Sequence, residues 1–252
     1  MNKYWYIIRN SFKETNRSKL IFLVTLSQPL ILLYGYILFY GFLINPGHVV
    51  AYDNPIVAYY IFILVVSAID LTRFANDLQK KIQDESYIGI DKLPVNPFLY
   101  YFFVSLGRSI LTFIILQFVG IAYLISIKFN ILGVVLFIPA TIIAFFLAHL
   151  IFFVLTSFTF FLESLHVWLF GITTDFLSGK LIPLHLMPVG LSSFLLLFPF
   201  PYAFGGLAQN YSNFDLHNLL ISLLMAVVWS GLLFFVAIKL WNKGSYYFQE
   251  HG

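Results

Sequence analysis

Long apolar runs constrain this chain more than any other feature. Ile21–Leu43, Ile56–Leu71, Ile110–Ile127, Ile131–Phe161 and Leu219–Leu240 are almost free of charge, and Val167–Ile172 with its continuation makes a sixth run. A helix needs ~20 apolar residues to cross the hydrocarbon of a bilayer. Backbone polar groups in lipid must be satisfied internally, so spans are helices or closed barrels. These runs are continuous rather than alternating, which reads as helix and not as barrel strand. The expected fold is all-α: a polytopic membrane protein with six transmembrane helices in a single transmembrane domain over residues 1–252.

Composition narrows the function classes. Of 252 residues, 60% are hydrophobic and 10% charged, too apolar for a soluble domain of this length. The absence of cysteine excludes disulfides, thiolate metal sites and cysteine nucleophiles. A net charge of +3 gives no reason to expect a nucleic-acid partner. The first 20 residues are polar and basic, without an apolar stretch ahead of a small-residue cleavage site, so the first run is expected to remain as an anchor.

The expected spans are Leu20–Leu43, Ile56–Ala75, Phe98–Ile127, Ile131–Phe161, Ser164–Leu177 and Leu216–Trp241. Ahead of them, residues 1–19 read as an interfacial helix. Tyr4, Trp5, Ile8 and Phe12 fall at helical spacing, and Arg9, Lys13, Arg17 and Lys19 supply cations for acidic membrane lipids. Prolines in Gln28-Pro29 and at Pro139 are expected to kink the first and fourth spans. Residues 178–213 are apolar but broken by Gly179, Pro183, Pro188, Gly190, Pro199, Pro201, Gly205 and Gly206. Irregular backbone at membrane depth must pack on protein or line a cavity. The segment therefore reads as an outer re-entrant helical hairpin, roughly Pro188–Leu197 and Tyr202–Ala208, with a loose external loop as the competing reading.

Lysine and arginine counts set the orientation. Lys3, Arg9, Lys13, Arg17 and Lys19 precede the first span. Arg73, Lys80, Lys81 and Lys92 lie around the loop after the second, and Lys239 and Lys243 near the end. The other side carries Lys128 and Lys180. Both termini and residues 76–97 are expected in the cytoplasm, and residues 45–55 and 209–215 outside.

Asp70, Arg73 and Asp77 share a helical face and are expected to form ion pairs at the end of the second span. Over Asp77–Gly89, Leu78 and Ile82 make an apolar ridge among Lys80, Lys81, Asp84 and Glu85, with Gly89 as the helix stop. Asp175, with Thr173 and Thr174, either faces a polar cavity or caps the break at Gly179, with a helix-ending residue near the outer surface as the competing reading. Arg108 either finds a partner or snorkels to the inner headgroups. His149 reads as a hydrogen-bonded bundle residue. The thirty phenylalanines are expected mostly to face lipid.

An interfacial helix, six spans, a polar loop after the second and a broken segment before the last resemble the permeases of ABC-2-type ABC transporters. The local pattern is Phe176-Leu177-Ser178-Gly179-Lys180-Leu181-Ile182-Pro183-Leu184, then Met187-Pro188 and Phe198-Pro199-Phe200. A second is Ile88-Gly89-Ile90-Asp91-Lys92-Leu93 with Asn96-Pro97, where Pro94 departs from the family's spacing. The resemblance implies a bacterial cell-membrane exporter subunit that pairs with a second permease half, as a homo- or heterodimer, and with cytoplasmic ABC-type ATPase subunits. It implies ATP and Mg on those partners and no cofactor or catalytic residue in this chain. Ser178-Gly179-Lys180 lacks the first glycine and the hydroxyl residue of a phosphate-binding loop. The resemblance assigns coupling to the ATPase to a region holding Leu78, Lys81, Ile82, Glu85, Gly89 and Asp91. It assigns translocation or gating to Asp175, Ser178, Gly179, Pro183, Pro188 and Pro199. Two other readings compete. An intramembrane lipid-modifying enzyme would draw on Glu163, His166 and His149, which form no convergent set. A secondary transporter would show inverted-repeat symmetry and more intramembrane charge.

Overall fold

The computed structural model describes residues 3–15, 54–68, 71–91, 94–162, 167–212 and 214–251, with scattered positions between 27 and 38. Most of the first expected span, with Gln28-Pro29, and Asp70, Glu163 and His166 lie outside the described residues.

Those residues are helical, with no strand among them. The elements are α1 (Lys3–Thr15), α2 (Asn54–Val66), α3 (Leu71–Gln83), α4 (Ile88–Asp91), α5 (Pro97–Ser126), α6 (Ile131–Ser157), α7 (Val167–Leu177), α8 (Val189–Leu195), α9 (Phe200–Ala203), α10 (Gly205–Ser212) and α11 (Leu216–His251). Short 3-10 turns follow α6, at Phe158–Phe160, and precede α8, at Leu184–Leu186.

Among the described residues, four stretches are long and apolar enough to cross a membrane: Ile56–Gln83, Pro97–Ser126, Ile131–Phe160 and Leu216–Tyr247. The first is 75% buried within the chain and the last 17%, so α2 is the central helix and α11 is peripheral. Local sequence sets the starts of α5 and α6. The side chain of Asn96 accepts from the Leu99 amide, with Pro97 at the first helical position, and that of Asn130 accepts from Leu132.

The described part of the fifth expected span is α7, whose 11 residues cover about 16 Å at 1.5 Å each, half of a ~30 Å core. Its inner half lies on α3, where a side chain on Gly171 would meet the Thr72 hydroxyl. The second expected span differs at its end: helix α3 runs past Ala75 to Gln83, inside the stretch expected as a polar loop. Residues 242–251, beyond the expected last span, continue α11.

Aromatic packing fills the core, so a share of the phenylalanines packs within the chain rather than facing outward. Phe62, Phe98, Phe137, Phe153, Phe160 and Phe204 are almost wholly buried. Small residues along α6, including Ala140, Ala144 and Ala148, leave room for such rings between the helices. At one end of the bundle, Trp241 stacks on Phe153 at 5.3 Å and meets Phe160 and Tyr87 edge-on at 5.1 and 6.1 Å. That hub joins α6, the turn before α4 and the late part of α11. At the opposite end Tyr211 of α10 stacks on Phe62 of α2 at 5.2 Å and lies 5.4 Å from Phe137 of α6.

The interfacial helix was expected to rest its aromatics in the headgroup layer. α1 seats one side on α5: Tyr4 lies 4.8 Å from the Phe103 ring, and Lys3 donates to the Pro94 carbonyl. A side chain on Gly107 would meet the Ile8 carbonyl at 2.5 Å, so the two backbones approach closely and bury Ser11. Trp5, expected on the apolar face, points outward and is 55% exposed.

Candidate functional site

The two expected regions lie at opposite ends of the bundle. The Trp241 end holds α1, the turn from α3 to α4 and the late part of α11. The Tyr211 end holds the turn at Ile127–Asn130 and the segment from Ser178 to Ser212. Lys3, Arg9, Lys13, Lys80, Lys81, Lys239 and Lys243 belong to elements of the Trp241 end, and Lys128 and Lys180 to the other.

At the Trp241 end, α3 is amphipathic as its spacing predicted, but the chain itself covers its apolar ridge. Leu78 and Ile82 are 0% exposed and part of the main core. The expectation that this ridge faces a partner is corrected: the bundle has already buried it. Lys81 also turns inward, its ammonium 5.2 Å from the centre of the Tyr101 ring. The outward face of the α3 end and its turn is Asn76, Lys80, Gln83, Asp84 and Glu85. Gly89 does not stop the helix. α3 ends at Gln83, followed by Glu85 in the left-handed region at φ 57°, and Gly89 lies inside α4 with open space around it. The backbone of Asp91 is the last residue of α4.

The polar face of α3 finds a partner on α5. Arg108 donates to the Asp77 carboxylate at 2.6 Å, which decides between the two readings of Arg108 in favour of pairing. A charge at this depth in a span is expensive unless paired. Farther along, Gln117 of α5 donates to the Thr141 hydroxyl of α6, a buried interhelical contact. His149 lies among Phe74, Phe102 and Phe145, with Nδ1 3.0 Å from the Phe145 carbonyl.

At the Tyr211 end, the break after α7 is built from the residues singled out in the sequence. Asp175 lies in the last turn of α7, where its carboxylate takes the Lys180 ammonium at 2.8 Å and its carbonyl accepts the Leu181 amide at 3.0 Å. It thus caps the break. Thr174 is buried and Thr173 exposed. Gly179 ends the helix with φ +80°, a conformation that favours glycine. Lys180 also lies 5.6 Å from the centre of the Phe204 ring.

Each proline marks a boundary. Pro183 precedes the 3-10 turn, Pro188 precedes α8, and Pro199 and Pro201 flank the start of α9. Within the segment, Leu184, Met187 and Leu195 form a small separate core. The outward side of α8 and of the turn after it stays apolar and exposed, at Val189, Phe194 and Leu197. His185 sits 6.3 Å from the Tyr59 ring, and partial burial holds its imidazole pKa below the ordinary value. The chain then turns back inward: α9 and α10 are buried from Pro201 to Ala208, and the Tyr202 hydroxyl donates to the Leu196 carbonyl at 2.8 Å.

Tyr59 of α2 did not stand out in the sequence, yet its hydroxyl donates to the Gly179 carbonyl at 2.6 Å. A hydroxyl inside an otherwise apolar run was the signal available for it. Among the described residues, no three His, Asp or Glu side chains converge as metal ligands. No protein-family model matches the chain, and no curated protein matches it.

Proposed function

We propose that this chain is the permease subunit of an ABC-2-type exporter in a bacterial cell membrane. In this reading it has six spans, with the first run and α7 completing the four long stretches, and residues 178–213 form a re-entrant outer segment. Two such halves line the pathway, and partner ATPases at the cytoplasmic side drive alternating access. ATP binding at those partners supplies the differential affinity that a conformational change requires.

The observation that carries the reading is the polarity of the bundle. Its basic end joins α1, an exposed polar turn after α3 and the extended α11. Its charge-poor end holds an apolar segment that leaves the bundle after α7 and folds back against α2 and α6. No Asp, Glu, Lys or Arg occurs from Leu181 to Phe214, which suits a segment seated in the outer leaflet. The basic end suits the cytoplasm and both termini with it. Coupling then falls on the exposed polar residues Asn76, Lys80, Gln83 and Glu85, with Gly89 beside them, and not on Leu78 and Ile82.

The deciding experiment is affinity purification of the tagged chain from its native membrane in mild detergent. An ATP-binding protein recovered in near-equal amount, with ATPase activity that depends on the permease, is the expected result. Recovery of the chain as a subunit with no ATPase, under conditions that retain a known exporter complex, overturns the proposal.

A further inference from the structure

Three elements meet at one point in the charge-poor end. The C-terminus of α7 presents two successive carbonyls, of Ser178 and Gly179. Helix ends leave such groups without intrahelical partners. Here two different elements take them. The Tyr59 hydroxyl of α2 donates to Gly179 at 2.6 Å, and the Gly205 amide that opens α10 donates to Ser178 at 2.9 Å. Tyr59 is 1% exposed and Ser178 0%.

The fit leaves no tolerance. A side chain added to Gly205 would stand 2.5 Å from the Ser178 carbonyl and 2.6 Å from the Tyr59 hydroxyl. The left-handed turn at Gly179, φ +80°, exposes its carbonyl to the phenol. From this crossing α10 runs along α2, with Leu207, Ala208 and Tyr211 all 0% exposed. The nearby Asp175–Lys180 pair closes the turn of α7 and makes no hydrogen bond to α2 or α10, although the Lys180 ammonium lies 5.6 Å from the Phe204 ring just ahead of Gly205.

We propose that Tyr59 is a positioning residue: with Gly205 it forms a clasp that fixes the end of α7 and holds the inward-turned segment, residues 200–208, against α2. The segment leaves its seat only when this clasp parts. Buried hydrogen bonds in a low-dielectric setting are costly to leave half-made, so opening requires another partner, water or substrate, for the two carbonyls. The word gate for this segment rests on the exporter reading; the clasp itself rests on the crossing geometry.

Hydrogen–deuterium exchange of the full chain in lipid nanodiscs tests it. Tyr59→Phe keeps the ring and removes one hydroxyl. Amides in 200–208 are expected to exchange about five- to tenfold faster in this variant, the effect of one net hydrogen bond, while residues 97–126 keep the wild-type rate. Gly205→Ala is expected to act in the same direction and more strongly; if it fails to insert, Tyr59→Phe alone decides. Unchanged exchange in 200–208, or an equal rise in 97–126, overturns the clasp, since a core residue without a local role would produce one of these. The measurement needs no ATPase, so a missing ATPase would sink the exporter reading and leave the clasp standing, and the reverse.

Discussion

Arg108 of α5 and Asp77 of α3 meet at 2.6 Å, with 28% and 44% of their side chains exposed. The pair lies where α1 also approaches, and Lys81 feels Arg108, Asp77 and Glu14 of α1. Arg108 and Lys81 therefore each have an acid near them, which lets a polar face of α3 sit against a span.

Removing one member should hurt more than removing both. Asp77→Asn alone leaves Arg108 without its acid inside a span. Because both groups are partly exposed, the expected loss is only about 1 kcal/mol. Asp77→Asn with Arg108→Gln should recover most of it. Thermal melting in detergent reads this, and equal melting of wild type and both variants would show that the pair contributes nothing.

Trp241 joins elements that are far apart in sequence. Trp241→Ala should destabilise the basic end by about 3 kcal/mol or more, whereas Trp241→Phe, which keeps an aromatic face toward Phe153, should lose less than half of that. Trypsin access to Lys80, Lys81 and Lys243 in inside-out vesicles is the local readout. Equal access in all three proteins would mean that the ring hub does not hold this end together.

On the exporter reading, partner contact and folding separate on α3. Leu78→Asp places a charge at a fully buried position and should lower stability by several kcal/mol, whatever the partner. Lys80→Glu with Glu85→Lys changes only exposed residues, and should leave melting unchanged while reducing ATPase co-purification at least about tenfold, ~1.4 kcal/mol of contact. Undiminished recovery of the ATPase by that double variant would move the coupling surface elsewhere.

How much of this was legible in the sequence varies by element. α5 and α6 run over Pro97–Ser126 and Ile131–Ser157, within a few residues of the expected spans, because apolar length and an asparagine cap act locally. The breaks at Pro183, Pro188 and Pro199 were legible for the same reason: proline acts on its own backbone. The fate of Leu78 and Ile82 was not. Periodicity reveals an apolar face but not whether the same chain or another covers it. Nor did hydropathy show that α11 continues past Trp241, since packing on Phe160 and Tyr87, not apolar length, supports that turn. The Tyr59–Gly179 contact joins residues 120 apart in sequence, and only the tertiary path of α7 brings them together.

Sidedness is open to direct measurement because the chain has no cysteine. Val189, 81% exposed on α8, and Gln83, exposed at the end of α3, lie at opposite ends of the bundle. On the exporter reading, the cation asymmetry has Gln83 inside and Val189 at the outer surface or in the outer leaflet. A cysteine at Val189 should then react in intact cells with a membrane-impermeant maleimide, more slowly than one at Ser212 if α8 is seated in lipid. A cysteine at Gln83 should react only after permeabilisation. Labelling of Gln83 with protection of both Ser212 and Val189 would invert the bundle. Labelling of all three in intact cells would mean that the two ends are not separated by a membrane. Either result would remove the polarity on which the exporter reading stands.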